Sequence, residues 1–236
     1  MSYRKITIGI LIIAVFLVVG CSKPGLKKEI VSTSDRVSFT NTVESNTLKV
    51  LKRPDGKIET LQFADAIIEN KGTKREKKCL CQAVCFRVSQ LAAQAWEDGT
   101  FRTYKIKSIR TGWNTDGPYE FFSDRELNGE IGDLEIPAEK IVVEKRNGDK
   151  ATSPKNLTIQ DSWYEITFTN NMVLFLQIKE GRNGVYPAGF LSLRREMKNG
   201  DKNAVKPFML EMKKTIACIA ELPFQGIRIE KVSIEK

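Results

Sequence analysis

Residues 163–178 constrain the fold more than any other part of this 236-residue chain. Over 163–169, Trp163, Glu165 and Thr167 alternate with Tyr164, Ile166 and Phe168; Asn170-Asn171 follows, and an apolar run continues through 172–178. Period-two alternation marks a strand and Asn tolerates positive φ, so the segment reads as a β-hairpin. An antiparallel pair in mid-chain sets the frame for everything around it. Residues 82–97 (QAVCFRVSQLAAQAWE) place Val84, Val88, Leu91, Ala92 and Ala95 on one helical face and stop at Asp98-Gly99. A second amphipathic helix is expected over 206–222, shorter ones over 61–69, 119–122 and 189–197, and strands over 101–110, 141–143, 157–159 and 227–234. Pro54-Asp55-Gly56 marks a turn between apolar alternations at 47–61. Strands and helices mixed in this way predict an α+β fold: a mixed or antiparallel sheet packed with a long Cys-bearing helix and a C-terminal helix, not a doubly wound parallel sheet.

Composition narrows the chemistry. Hydrophobic residues at 41% and charged residues at 28% suffice for an ordinary globular core. The chain has no His, which removes Ser-His-Asp and Cys-His nucleophilic catalysis, HExxH zinc hydrolysis and histidine proton shuttling. Cys, carboxylates, Lys, Tyr and Ser are what remain.

The N-terminus reads as an address. Arg4 and Lys5 precede an apolar run over 6–19 that ends at Val18-Val19-Gly20-Cys21. That run is short of the about 20 residues a bilayer span needs, and fits the core of a secretory signal. Small residues before a Cys resemble a bacterial lipobox, with cleavage between Gly20 and Cys21 and acylation of the Cys21 thiol. The expected division is a lipoprotein signal at 1–20, a lipid anchor and tether at 21–58, and one domain at 59–236. Ser22 after the Cys matches the outer-membrane choice in bacteria that sort by this position. The expected location is the cell envelope, facing the periplasm in a bacterium with an outer membrane. Removing Arg4 and Lys5 from the formal +9 leaves the mature chain at about +7. Export argues against nucleic acid as a partner, and no basic-aromatic binding motif is present.

Four cysteines then lie outside the cytoplasm: Cys79, Cys81, Cys85 and Cys218. An even number in an oxidising compartment makes disulfides one expectation. With a helix opening at Gln82, Cys81 and Cys85 sit four apart at Cβ separations of about 5–6 Å, beyond the roughly 3.8 Å a disulfide prefers, so pairing with Cys218 is freer. A metal site is the functional reading. Thiolates at a helix N-terminus beside Lys74, Arg75, Lys77 and Lys78 are expected to have lowered pKa values and to take a soft metal, zinc or iron. Cys79, Cys81 and Cys85 are the candidate ligands, although their spacing is not that of a zinc ribbon. Thiol redox chemistry is a third reading, without a Cys-x-x-Cys motif. Cys85 also has the spacing of its helix's core face.

At these residues the chain resembles the FmdE family of formylmethanofuran dehydrogenase components. Its members carry a Gly-His-x-Cys-Pro-Cys/Gly motif opening a long helix; here Glu76-Lys77-Lys78-Cys79-Leu80-Cys81 stands in that place, followed by Phe86-Arg87 and Leu91-Ala92-Ala93. Gly184-Val185-Tyr186-Pro187-Ala188-Gly189-Phe190 with Leu193-Arg194-Arg195 is a second likeness, and the two extend over about 63–232. Family members are linked with molybdenum-enzyme operons and some bind zinc. The family's His falls at Lys77, whose charge would repel a cation, and its Pro at Leu80. Only the thiols of Cys79 and Cys81 carry over as ligands.

Trp113, Asp116 and Tyr119 cluster in a Gly-Pro loop and are candidates for holding a small ligand. Asp116, Glu120, Asp124 and Glu126 are carboxylates whose separation a linear sequence leaves open. No catalytic residue is assigned. The expectation is a lipid-anchored envelope protein, joined to a membrane through Cys21, whose domain binds a soft metal or small ligand at its Cys cluster. The alternative is a disulfide-stabilised structural or interaction module that meets an envelope protein and holds no metal.

Overall fold

The computed structural model describes residues 30–31, 38–70, 72, 74, 76–127 and 131–234; the expected signal and Cys21 lie outside the described residues. In chain order the elements begin with β1 (Ile30–Val31), β2 (Ser38–Phe39), β3 (Thr47–Leu51), β4 (Glu59–Gln62), α1 (Phe63–Ala66), β5 (Ile68–Glu69) and β6 (Lys77–Lys78). Then come α2 (Leu80–Ala93), β7 (Thr100–Arg102), β8 (Ile106–Thr111), α3 (Gly117–Phe122) and β9 (Ile141–Val143). The chain finishes with β10 (Trp163–Phe168), β11 (Met172–Ile178), α4 (Phe190–Lys198), α5 (Lys202–Ala220) and β12 (Ile227–Ile234). The fold is α+β. Its main sheet has the order β12-β11-β10-β8-β9, antiparallel except for the β8–β9 pair, and a smaller one has the order β4-β3-β7.

The hairpin at 163–178 sits in the middle of the main sheet. Asn171 takes the left-handed conformation at φ 60° that a tight turn requires. Tyr164 pairs with Leu176 and Ile166 with Leu174, which puts one continuous apolar face on the core. On the other face Trp163 stacks on Phe175 at 5.7 Å, and Arg110 bridges Glu144 and Glu165 at 2.6 Å each.

Several expected elements are changed by tertiary context. The strand expected over 101–110 is two strands, β7 and β8, with a 3₁₀ turn at Thr103–Lys105 between them. Its irregular alternation has a cause: Thr167 pairs with Ser108 but Phe168 with Ile106, so the ladder skips Lys107, and the bulge lets Ile106 and Ile109 both face the core. The helix expected over 61–69 is only α1, flanked by β4 and β5. In place of a strand at 157–159 there is a 3₁₀ turn at Ile159–Asp161, because the backbone N–H and hydroxyl of Thr158 both donate to the Asp161 carboxylate at 2.9 Å. Helix α5 starts at Lys202, not 206, where Asp201 caps it by accepting from the Asn203 N–H at 2.8 Å; Pro207 lies inside the helix.

Helix α2 is the centre of the molecule. It opens at Leu80, two residues before the expected start, and every residue in it except Cys81 is buried. The expected single apolar face is therefore a helix covered all round, and Arg87, Gln90 and the C-cap Gln94 are structural ties. Gln90 donates to the carbonyls of Ser45 and Thr47 at 2.9 and 2.7 Å, and Gln94 accepts from the Thr40 N–H at 2.7 Å. These bonds hold the segment 39–50, whose Phe39, Val43, Leu48 and Val50 belong to the core. The packed part of the chain thus extends N-terminal of residue 59, into the stretch expected to be tether.

Arg87 is the strongest tie. It is 0% exposed and has no carboxylate partner. Its guanidinium donates to the Ile219 carbonyl at 3.1 and 2.7 Å, to the Ser45 carbonyl at 2.8 Å, to Gln90 Oε1 at 2.7 Å and to Asn46 Oδ1 at 2.5 Å. Phe63 and Phe224 lie 4.6 and 5.1 Å from it in cation–π geometry. Burial lowers its pKa to about 10, which leaves it charged at neutral pH. Replacing Arg87 by Met strands the Ile219 carbonyl and the amide oxygens of Gln90 and Asn46 in the interior and leaves the Ser45 carbonyl with Gln90 as its side-chain donor, and a loss of about 3–5 kcal/mol is expected. Arg87→Lys supplies a point charge without the planar fork and is expected to recover less than half of that. Urea unfolding of the variants measures both, and a loss under about 1 kcal/mol for Arg87→Met would remove Arg87 from this role.

Candidate functional site

The N-terminus of α2 is where three elements meet. The β5–β6 ladder pairs Ile68 with Lys78 and Glu69 with Lys77. The Cys79 N–H then donates to the Ile67 carbonyl at 2.7 Å, which brings Cys79 beside Glu69. Cys79 is the extended N-cap of α2, and its carbonyl accepts the Ala83 N–H at 3.1 Å. Helix α3 closes the other side, with Glu120 in its first turn. A Cβ on Gly117 would lie 2.2 Å from Cys81 Cβ, so only glycine lets α3 approach α2 this closely. As a result a carboxylate oxygen of Glu69, the Sγ of Cys79 and a carboxylate oxygen of Glu120 all lie within 4.8 Å of one another.

Cys81 lies next to this triad, among groups that favour its thiolate. Its Sγ accepts a hydrogen bond from the Cys79 thiol, from Trp113 Nε1 at 3.4 Å and from the Thr115 hydroxyl at 3.7 Å. Arg194, from α4, adds its positive charge from a position over the Trp113 ring, 5.4 Å from the centroid. These donors, with Cys79 first among them, lower the Cys81 thiol to about 6 despite its burial. The same bond, with burial behind it, pushes the Cys79 thiol up. Glu120 is pushed up to about 7, first by burial and then by the negative charges of Glu69, Cys81 and Asp116. Lys77 opposes that rise, and its Nζ lies 3.0 Å from Glu69 Oε2. The expected effect of the basic stretch on the thiols is thus corrected: Lys77 is paired with Glu69, and the cation that lowers Cys81 is Arg194.

The residues singled out in the sequence separate into two groups. Cys79, Cys81 and Trp113 come together. Cys85 is one turn deeper, fully buried, with its Sγ 3.5 Å from the Tyr164 hydroxyl; burial pushes its thiol up, and it shares the core with its neighbours. Asp116 is exposed at the N-cap of α3, and the Tyr119 hydroxyl donates away from the cluster, to the Ile141 carbonyl at 3.2 Å. Cys79, Cys81 and Cys85 are free thiols. Sequence reading missed Glu69, Thr115 and Arg194. For Glu69 one signal was available: an acidic residue ending a short apolar segment, ready to pair with the basic stretch after it.

The thiolate character of Cys81 has a direct readout. Iodoacetamide should alkylate Cys81 with a pH midpoint well below the roughly 8.5 of a free thiol, while Cys85 stays unreactive in the folded protein. Trp113→Phe removes one donor and should move that midpoint upward. Peptide mapping after alkylation across pH 5–9 checks this, and a midpoint at or above the free-thiol value would show that Cys81 is an ordinary cysteine. Comparison with known protein families, with curated proteins and with solved structures finds no match to this chain.

Proposed function

We propose that this is a lipid-anchored cell-envelope protein whose domain binds zinc, or iron as the second choice, through Glu69, Cys79 and Glu120, with the Cys81 thiolate as fourth donor. The observation that supports it is the convergence of three ligand atoms from β5, the α2 N-cap and α3 within 4.8 Å. A tetrahedral shell with ligand bonds of about 2.0–2.3 Å brings donors to about 3.5 Å of one another, so small side-chain movements suffice. Mixed thiolate and carboxylate donors suit zinc, with iron next. The electrostatics point the same way: Glu69, Glu120 and Cys81 crowd negative charge around one partly exposed Lys77, and a divalent cation would relieve that repulsion. Cys85 is left out of the ligand set. Likeness to the FmdE family, some of whose members bind zinc, is consistent with this reading and rests on the short motifs around Cys79 and Gly184.

Elemental analysis of chain purified without chelator should give close to one metal per chain. Cys79→Ser, Glu69→Gln and Glu120→Gln should each lower affinity by more than the 10–100-fold typical of outer-shell changes, with unfolding midpoints measured alongside to separate ligand loss from misfolding. Lys77→Met removes the competing ammonium and should raise affinity. Binding has to displace protons from Glu120 and Cys79, so affinity should rise with pH and fall as pH drops through about 7, where Glu120 protonates. Absence of metal in the wild-type chain, or metal retained in all three ligand variants, would overturn the assignment.

A second reading, dithiol redox chemistry, draws on the Cys79–Cys81 hydrogen bond. The Cys81 thiolate would attack a substrate disulfide, releasing one substrate thiolate and forming a mixed disulfide. Cys79, losing its proton, would then displace the second substrate thiolate, leaving a Cys79–Cys81 disulfide and a reduced substrate. A mixed disulfide trapped in Cys79→Ser, from chain that holds no metal, would favour it.

For the anchor, Cys21→Ser should leave an unprocessed precursor without acyl label. Normal acyl labelling of that variant would end the lipoprotein reading.

A further inference from the structure

A groove of about 630 Å³ runs between α1 and α5, bordered by the β6 residues that lead into the thiol cluster. Phe63 and Ile67 form one wall, and Met209, Met212 and Ile216 the other. Its volume falls in the range of small-molecule sites, and methionine is the side chain best able to mould itself to a flexible apolar ligand. Lys78 and Lys213 stand on the rim; no Asp or Glu lines the groove, and neither lysine is in an ion pair among the described residues. Apolar walls below two uncompensated ammonium groups fit a hydrocarbon chain that ends in an anion.

A peptide fits less well. Each of its residues brings a backbone donor and acceptor that need partners. Apart from the lysines, the polar side chains of the groove are Asn46 and Gln62, and Asn46 is engaged, donating to the Ala220 carbonyl at 3.1 Å and accepting from Arg87. We propose that this groove binds a single long acyl chain with its carboxylate between Lys78 and Lys213, a site that uses none of the proposed metal ligands.

The test uses the full chain in phosphatidylcholine vesicles and a diazirine-bearing palmitate as photoprobe. Crosslinks are expected on the peptides containing Phe63 and Met212, and unlabelled palmitate should suppress them. Ala217 and Ala64 are exposed residues on opposite walls, so Ala217→Trp and Ala64→Trp fill the groove without disturbing the core, and each should cut labelling about tenfold, equivalent to about 1.4 kcal/mol. Lys78→Gln with Lys213→Gln should weaken palmitate labelling several-fold and leave labelling by a diazirine hexadecanol unchanged. A parallel arm with a diazirine phosphatidylglycerol separates a free fatty acid from a membrane lipid as the source of the acyl anion. Palmitate labelling that ignores both Trp variants, or falls on other peptides, would overturn the proposal. So would a concentration-dependent dimer closing the groove through α5.

Discussion

The positive charge of Arg87 is the point on which the rest of the structure depends. A guanidinium taken out of water without a carboxylate partner is tolerated only where oxygen acceptors replace its hydration, and here those acceptors come from the Ser45–Asn46 turn, from Gln90 and from the end of α5. Satisfying one cation therefore ties together the Ser45–Asn46 turn and the end of α5, segments 174 residues apart in sequence. Phe63 and Phe224 add two aromatic faces and exclude water from the bonds. Helix α2 is fixed in position and rotation by this node, and its N-terminus with it. Cys79 and Cys81 stand at that N-terminus, two turns from Arg87, which is how a core interaction comes to hold a surface cluster in place.

Net charge gives no hint of that cluster. The chain is formally +9, yet α2 begins beside two carboxylates and a thiolate. Like charges this close cannot all ionise freely, and both the Cys79 thiol and the Glu120 carboxyl are pushed up. The arrangement is held by backbone: a two-residue ladder on one side and a glycine-enabled helix contact on the other. Relaxing the repulsion by moving apart would break the Cys79 N–H bond to Ile67 or open the α2–α3 contact. A bound cation relieves it without either loss, which is the physical case for a metal.

Regular patterns were the legible part of the sequence. The 163–178 hairpin, the 227–234 strand, α3 after its Pro and the hairpin around 54–56 all carry their own periodicity and turn residues. Misreadings fall where tertiary contacts override local pattern. Residues 38–46 look like polar tether because their apolar residues are sparse, and they fold because Gln90 and the C-cap Gln94 of α2, more than forty residues later, satisfy their backbone. Residues 157–159 have strand composition, but the Asp161 carboxylate offers Thr158 a tighter bond than a ladder would. At the site, the Cys-x-Cys spacing and Trp113 were visible in the sequence, while Glu69 and Arg194 were not, since their places come from β5–β6 pairing and from the packing of α4 on Trp113.

Lys77 connects the two proposed ligand sites. Its ammonium is 3.0 Å from Glu69 in the thiol cluster, and its side chain also lines the apolar groove. It is 64% exposed, so its long chain can turn toward either side at little cost. A cation on Glu69 takes over the carboxylate that Lys77 now compensates and leaves the lysine free to face the groove, where an anionic head would receive it. An acyl anion in the groove attracts the same lysine and removes a competitor from Glu69. If both bind, each ligand would thereby favour the other through one shared charge, and by linkage the two effects would be equal in size. The β5–β6 ladder, two residue pairs long, is what sets Lys77 between Glu69 and the groove, so the coupling would run through that one side chain.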